Sequence, residues 1–84
     1  MTDKLDIEFK NNVNNVKNIN IKPNNETLLF LYSHYKQATI GNCNIDKPKI
    51  YDVKGNYKYD AWNKLNGMDK NTAKKLYINK IKEL

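Results

Sequence analysis

Apolar residues recur at helical spacing in the first part of the chain. Leu5, Phe9, Val13 and Val16 are separated by four, four and three positions, so they share one stripe of a helix that we predict to run roughly from residue 4 to residue 18. Asparagine and lysine occupy the opposite side. The pattern predicts an amphipathic helix that packs on one face.

Pro23 interrupts this pattern, and Asn24 or Asn25 can cap a second helix, predicted at about residues 25–40 and ending at Gly41. Apolar and aromatic residues cover most of its circumference. We therefore expect this helix to pack on more than one side or to form one wall of an apolar groove. These residues are Leu28, Leu29, Phe30, Leu31, Tyr32 and Tyr35.

Residues 42–53 contain a proline and no sustained period, which indicates a long ordered loop. A third helix is predicted at about residues 55–65, with Ala61, Trp62 and Leu65 facing inward. The Asn-Gly pair that follows is also typical of a hairpin, but no alternating strands flank it, so we interpret it as a helix end.

Asp69 is the predicted cap of a fourth helix. Its apolar stripe is formed by Ala73, Leu76, Tyr77, Ile81 and Leu84. The sequence thus predicts an all-α fold of four helices in a single domain spanning residues 1–84. A chain this short buries only about 60–65% of its unfolded surface, which favours binding in a surface groove over an enclosed catalytic cavity.

The charge of the chain is uneven. All fifteen basic residues are lysine, and the net charge is +6. Residues 1–20 are neutral, with three lysines and three acids, so residues 21–84 carry the whole excess. This excess is consistent with an anionic partner, and the fifteen accompanying asparagines are equally consistent with a codon-usage origin for most of the lysines. Only lysines in defined positions are therefore informative.

Nucleophilic and metal-ligating residues are scarce. Cys43 is the single cysteine and His34 the single histidine, and no third group is identifiable that would orient the histidine as a base. Neither residue belongs to a set with metal-ligand spacing. The chain has no leading apolar segment, and with a lone cysteine this predicts a reducing, cytoplasmic location. We expect no enzymatic activity, no metal and no cofactor.

Two tyrosines and two lysines form the candidate site. Tyr32, Tyr35 and Lys36 stand at i, i+3 and i+4, so they share one helix face. Lys58 lies one turn before the tryptophan of the third helix. If Lys58 approaches Lys36 in space, the two cations repel unless an anion lies between them. The set predicts a site for a phosphorylated nucleotide, although each lysine alone is typical of a solvated helix face.

Three stretches resemble one known family. The segments "LLFLYSHYKQATIG", "DVKGNYKYDAWNKLNG" and "AKKLYINKIKEL" closely resemble the acyl-CoA-binding protein family, and the resemblance is weakest before Phe9. It implies a four-helix up-down-down-up bundle with a bowl that holds a long-chain acyl-CoA thioester. It also implies that the positions of Tyr32, Lys36 and Lys58 bind the CoA 3′-phosphate. Tyr35 would stack on the adenine and Tyr77 would complete the nucleotide site.

The resemblance places the acyl chain in an apolar groove between helices two and three. Softer candidates for this groove or for electrostatic steering are Phe9, Val13, Lys17, Leu29 and Lys54, together with Lys47. For the lysines among them, a solvated face remains the preferred interpretation.

The chain departs from the family pattern at three positions. Tyr59 replaces the usual tryptophan, Lys49 replaces a frequent glycine, and Cys43 is interpreted as a bystander thiol.

The predicted function is non-catalytic intracellular binding, buffering and transport of medium- to long-chain acyl-CoA, with one ligand per monomer. Transient contacts with membranes or with acyl-CoA-using enzymes fit this role. The alternative is a basic aromatic module that binds single-stranded nucleic acid or an anionic membrane surface. Nucleic acid is not the expected partner.

Overall fold

The computed structural model describes residues 3–18 and 22–84 and contains four α-helices in these ranges. They are α1 (Lys4–Asn15), α2 (Asn25–Thr39), α3 (Val53–Asn63) and α4 (Lys70–Glu83), and a 3-10 turn at Val16–Asn18 follows α1. No strand occurs in the described ranges. The prediction of an all-α protein with four helices is confirmed.

Side-chain caps fix the helix starts. The side chains of Asp3, Asn24 and Asp69 accept hydrogen bonds from the backbone N–H groups three residues later, at 2.9, 2.8 and 2.9 Å. Each cap satisfies one of the backbone donors that a helix leaves free at its first turn. The predicted caps of the second and fourth helices are confirmed, and Asn24 is the residue used.

The third helix begins earlier than the sequence indicated. The predicted start is about residue 55, whereas α3 begins at Val53. Asp52 caps it, because its Oδ1 accepts from the Gly55 backbone N–H at 3.0 Å. Gly55 permits this close approach, since a Cβ atom there would clash with the Asp52 carboxylate. The residues around this cap, predicted as loop, thus form the first turn of the helix.

The core lies where α2 and α4 meet and where α4 meets α1. All four residues of the predicted α1 stripe contact this core. In α4 the stripe was partly wrong, because Ile78 is buried and Leu76 is only half-buried. A helix that packs against two neighbours buries a wider arc than a single stripe. The buried members are Phe9, Leu31, Ala38, Ala73, Tyr77 and Ile78.

The loop between α2 and α3 is anchored to the rest of the fold. Gly41 ends α2 with a positive φ of 104°, which favours glycine. Its carbonyl oxygen accepts a 2.8 Å hydrogen bond from the indole N–H of Trp62, whose side chain is buried. The side chain of Asn42 accepts from Gln37 Nε2 at 3.0 Å and from the Gly67 N–H at 2.8 Å. These bonds fix α3 beside the C-terminal half of α2.

Candidate ligand-binding site

Two lysines from different helices meet at one tyrosine ring. The ammonium nitrogen of Lys36 on α2 lies 5.9 Å from the centre of the Tyr32 ring, and that of Lys58 on α3 lies 5.3 Å from the same centre. Lys36 also lies 5.6 Å from the centre of the Trp62 ring. The structure therefore brings together the three residues for which the sequence suggested a shared phosphate.

These two lysines are not neutralised by acids. In the part of the chain that the structure describes, no ion pair includes Lys36 or Lys58. Two cations beside one ring repel each other, and an anion placed between them would be attracted to both. Phosphate, with nearly two negative charges near neutral pH, suits such a position.

The Tyr32 hydroxyl remains a hydrogen-bond donor at neutral pH. Burial raises the pKa of Tyr32 above its ordinary value, and the Coulombic effect of a nearby Cys43 thiolate raises it further. A protonated phenol can donate to an anion, whereas a phenolate would repel it. Tyr32 thus adds a neutral donor to the two ammonium groups.

Tyr35 belongs to an aromatic cluster that α2 forms with α1 and α4. Its ring is stacked with that of Phe9 at 6.1 Å between centres and lies 6.4 Å from that of Tyr77. Phe9 meets Tyr77 edge to face at 5.2 Å. Tyr35 is 39% exposed, while the other two residues are buried. The cluster supports Tyr35 from beneath and leaves part of its side chain open to a ligand.

Tyr77 is mainly a core residue in this cluster. Only 4% of it is exposed, and burial, followed by the neighbouring Tyr35, raises the pKa of its hydroxyl. Tyr77 therefore offers a ligand very little surface.

An open apolar groove of about 690 Å³ runs between α2 and α3. Its lining includes Leu28, Leu29, Tyr32, Val53, Tyr57 and Lys58. The first of these leucines is 48% exposed, and Val53 and Tyr57 are each 60% exposed. Large apolar side chains thus remain solvent-accessible in the groove that Lys58 lines.

Sequence reasoning missed Val53 and Tyr57 as groove residues. Their i, i+4 spacing places them on one face of α3, and Tyr57 directly precedes Lys58. That spacing is the signal that could have identified them. It is a weak one, because the residues between them are polar or glycine and Val53 was predicted to lie in the loop.

The softer candidates separate into two places. Leu29 and Lys54 line the α2–α3 groove, whereas Phe9 and Val13 line a second hollow of about 630 Å³ beside Tyr35, between α1, α2 and α4. Lys17 is exposed in the 3-10 turn after α1. Lys47 lines a third hollow next to the loop between α2 and α3.

His34 is engaged in packing rather than exposed for chemistry. Only 6% of it is accessible, and its ring stacks on that of Phe30 at 3.9 Å. Its Nδ1 lies 2.7 Å from the Phe30 carbonyl oxygen, which can only accept, so Nδ1 carries the proton. Burial lowers the pKa of this imidazole.

No group of three metal-ligating side chains occurs among the described residues. The described helices also include none that is long and apolar enough to cross a membrane.

The site combines cations, an exposed aromatic side chain and an apolar groove that lie close together. Such a combination suits a ligand with an anionic head and an apolar tail.

Comparisons with known proteins agree with this class of ligand. A sequence model of the family described as acyl CoA binding protein matches residues 6–81. A protein from a Hypsibius species that carries the name of an acyl-CoA-binding protein is 46% identical over 77 residues, covering 92% of this chain and 86% of that protein. Acyl-CoA-binding domain-containing protein 5 of Xenopus tropicalis is 46% identical over 68 residues, covering 81% of this chain but 15% of that protein.

Solved structures give the same result. The crystal structure of acyl-CoA-binding protein 2 of Oryza sativa matches with a TM-score of 0.89 at 39% identity, covering 95% of this chain and 89% of that one. The chain therefore belongs to the acyl-CoA-binding protein family, and its function is the binding of acyl-CoA. The resemblance predicted from three sequence segments is confirmed, as is the four-helix bundle of that family.

Proposed function

We propose that the chain binds one medium- to long-chain acyl-CoA thioester per monomer, with the CoA 3′-phosphate between Lys36 and Lys58 and beside the Tyr32 hydroxyl. The convergence of two lysines on one ring carries this assignment. Charge-assisted hydrogen bonds to a phosphate would contribute about 1.5–3 kcal/mol each.

The adenosine part of CoA would stack on Tyr35. That side chain is partly exposed and is supported by Phe9 below it, which limits the conformational freedom that binding must remove. Tyr77 would border the same nucleotide from α4, through the small part of its side chain that is exposed.

The acyl chain would lie in the α2–α3 groove against Leu28, Leu29, Val53 and Tyr57. Each methylene removed from water contributes about 0.8 kcal/mol at most, so affinity should rise with chain length until the groove is filled. A ligand that uses both the groove and the cations should bind far more tightly than either of its halves.

The proposed role is that of a carrier and buffer, without catalysis and without a cofactor. The single histidine is buried and hydrogen-bonded to the backbone, so it is poorly placed to act as a general base. Acyl-CoA is the ligand, and a cytoplasmic monomer that delivers it to membranes or enzymes is the form we propose.

A calorimetric titration with palmitoyl-CoA tests the function directly. Free CoA, palmitate and a short single-stranded oligonucleotide are titrated separately as controls. We expect one-to-one binding of the thioester, with much weaker binding of free CoA and of palmitate. Oligonucleotide binding without preference for the thioester would overturn the proposal and favour the nucleic-acid alternative.

A further inference from the structure

The 49–52 turn, formed by Lys49, Ile50, Tyr51 and Asp52, exposes two large side chains in an unusual place. The Asp52 backbone N–H donates to the Lys49 carbonyl oxygen at 2.9 Å and closes the turn. Turn corners are usually occupied by Gly, Pro, Asn, Asp or Ser. Here they hold Ile50 and Tyr51, which are 94% and 75% exposed.

This turn is held in place by side-chain hydrogen bonds. The Asn56 amide donates to the carbonyl oxygens of Lys49 and Asp52, at 2.8 Å each. Asp52 in turn caps α3 through the Gly55 N–H. The two corner side chains are therefore displayed from a fixed position at the start of α3. An apolar tip that the fold holds in water indicates an interaction surface.

The surroundings of the turn are positively charged. Residues 47–58 contain four lysines (Lys47, Lys49, Lys54 and Lys58) and one acid, Asp52, which gives a local charge of +3 (four minus one). None of these lysines is in an ion pair among the residues that the structure describes. Asp46 and Asp60 flank the segment, and Asp60 lines the same hollow as Lys47 and Ile50. The net charge over residues 46–60 is therefore +1 (four minus three).

We propose that the 49–52 turn docks on the surface of an anionic phospholipid membrane. Ile50 would insert at the boundary between headgroups and acyl chains, and the Tyr51 ring, with an apolar body and a polar tip, suits the interface beside it. Lys47 and Lys49 would contact anionic headgroups. A protruding pair of side chains ringed by flexible lysines fits a deformable lipid surface better than a preformed protein pocket, in which anchors are buried and lysine is depleted.

The turn also adjoins the α2–α3 groove. Val53 and Tyr57 line both this groove and the hollow that contains Lys47 and Ile50. Docking would therefore bring the mouth of the groove to the lipid surface, where acyl chains partition. This consequence rests on the proposed function, whereas docking itself requires no acyl-CoA.

Vesicle co-sedimentation of the ligand-free chain tests the docking. The vesicles are phosphatidylcholine alone and a mixture of phosphatidylcholine and phosphatidylserine. We expect binding to the mixed vesicles only. The double variant Ile50→Asn, Tyr51→Asn should lose about tenfold or more of the vesicle partition coefficient, because the inserted apolar surface is gone. Both residues are highly exposed, so the helical content should not change by circular dichroism.

Matched charge variants separate a local contact from general attraction. Two double variants each remove two positive charges. The first is Lys47→Gln, Lys49→Gln, at lysines that flank the turn, and the second is Lys64→Gln, Lys75→Gln, at lysines that do not. We expect the first pair to weaken partitioning about tenfold and the second to change it by less than about threefold. Equal losses from the two pairs would overturn the proposal, as would unaltered binding of the Ile50→Asn, Tyr51→Asn variant.

Two further outcomes also reject membrane docking. The wild-type chain could fail to sediment with the mixed vesicles, or it could instead self-associate through the turn, seen as a concentration-dependent mass that the Ile50→Asn, Tyr51→Asn variant abolishes. Palmitoyl-CoA calorimetry on the wild-type chain and on the same variant distinguishes the docking proposal from the proposed function. If the wild-type chain binds palmitoyl-CoA but not the vesicles, docking alone is rejected. If it binds the vesicles but not palmitoyl-CoA, the proposed ligand alone is rejected.

Discussion

The Lys58 ammonium nitrogen on α3 lies 5.3 Å from the centre of the Tyr32 ring on α2. Attraction between an ammonium group and an aromatic face contributes only about 0.5–1 kcal/mol at exposed sites. A second cation, Lys36, lies 5.9 Å from the centre of the same ring, so two positive charges share one aromatic contact. An anion placed between the two ammonium groups would be attracted to both, as in the phosphate position that we propose.

Replacing Lys58 by alanine should weaken palmitoyl-CoA binding at least about tenfold, because one charge-assisted contact with the 3′-phosphate is lost. The same substitution should reduce the preference for palmitoyl-CoA over its 3′-dephospho form. Lys36→Ala should behave in the same way. Calorimetric titration of both ligands into each variant measures the two effects.

Lys64→Ala is the control for this experiment. It removes an exposed lysine that directly follows α3, so the net charge changes equally while the tyrosine site is untouched. If Lys58→Ala still discriminates between the two ligands as strongly as the wild-type chain, Lys58 is not a phosphate ligand.

Tyr35→Ala should weaken acyl-CoA binding at least about tenfold with little change in helicity. The substitution removes the partly exposed aromatic surface that we assign to adenine, and stacking of one base is worth about 1–3 kcal/mol. Tyr51→Ala serves as the control, since it deletes an even more exposed tyrosine outside the site. Equal affinities of the two variants in calorimetry would contradict the adenine assignment.

The helices were predictable because each carries its own local signal. The stripe from Leu5 to Val16 and the caps at Asn24 and Asp69 involve only residues that are close together in the sequence. The start of α3 was not predicted, because Asp52 acts as a cap only when Gly55 lets its carboxylate approach. Ile78 was missed because its burial depends on α4 contacting two other helices.

The candidate site was predictable only in part. The i, i+3 and i+4 spacing placed Tyr32, Tyr35 and Lys36 on one helix, but no spacing within a helix indicates where a second helix lies. Lys58 lies on α3, and the bond from the Trp62 indole to the Gly41 carbonyl joins that helix to the end of α2. Such long-range hydrogen bonds have no signature in a single sequence.

Trp62→Phe tests that long-range bond. The substitution removes the indole donor of the Gly41 carbonyl oxygen and leaves space at a position that is 1% exposed. We expect the free energy of unfolding to fall by about 1–3 kcal/mol, measured by urea denaturation followed by circular dichroism. Tyr51→Phe, at an exposed ring, should change it by less than about 0.5 kcal/mol. A Trp62→Phe variant as stable as the wild-type chain would show that the bond does not hold α3.

The buried imidazole of His34 should make stability depend on pH. Burial lowers the pKa of His34 in the folded chain below its ordinary value of 6.5, although the Phe30 carbonyl partly opposes this shift. The unfolded chain then takes up a proton more readily than the folded chain as the pH falls below 6.5. The free energy of unfolding should therefore decrease over this window and continue to decrease until the pH passes the lowered pKa.

Urea denaturation between about pH 7.5 and pH 5 measures this dependence, because the chain has one histidine and few other groups titrate there. His34→Gln keeps a donor for the Phe30 carbonyl but cannot take up a proton in this range. We expect the variant to lose most of the decrease seen in the wild-type chain, while carboxylates that titrate at lower pH affect both proteins alike. If the two proteins show parallel pH profiles, the folded chain accommodates the charged imidazole without cost. The burial of His34 against Phe30 would then not oppose the uptake of a second proton by the ring.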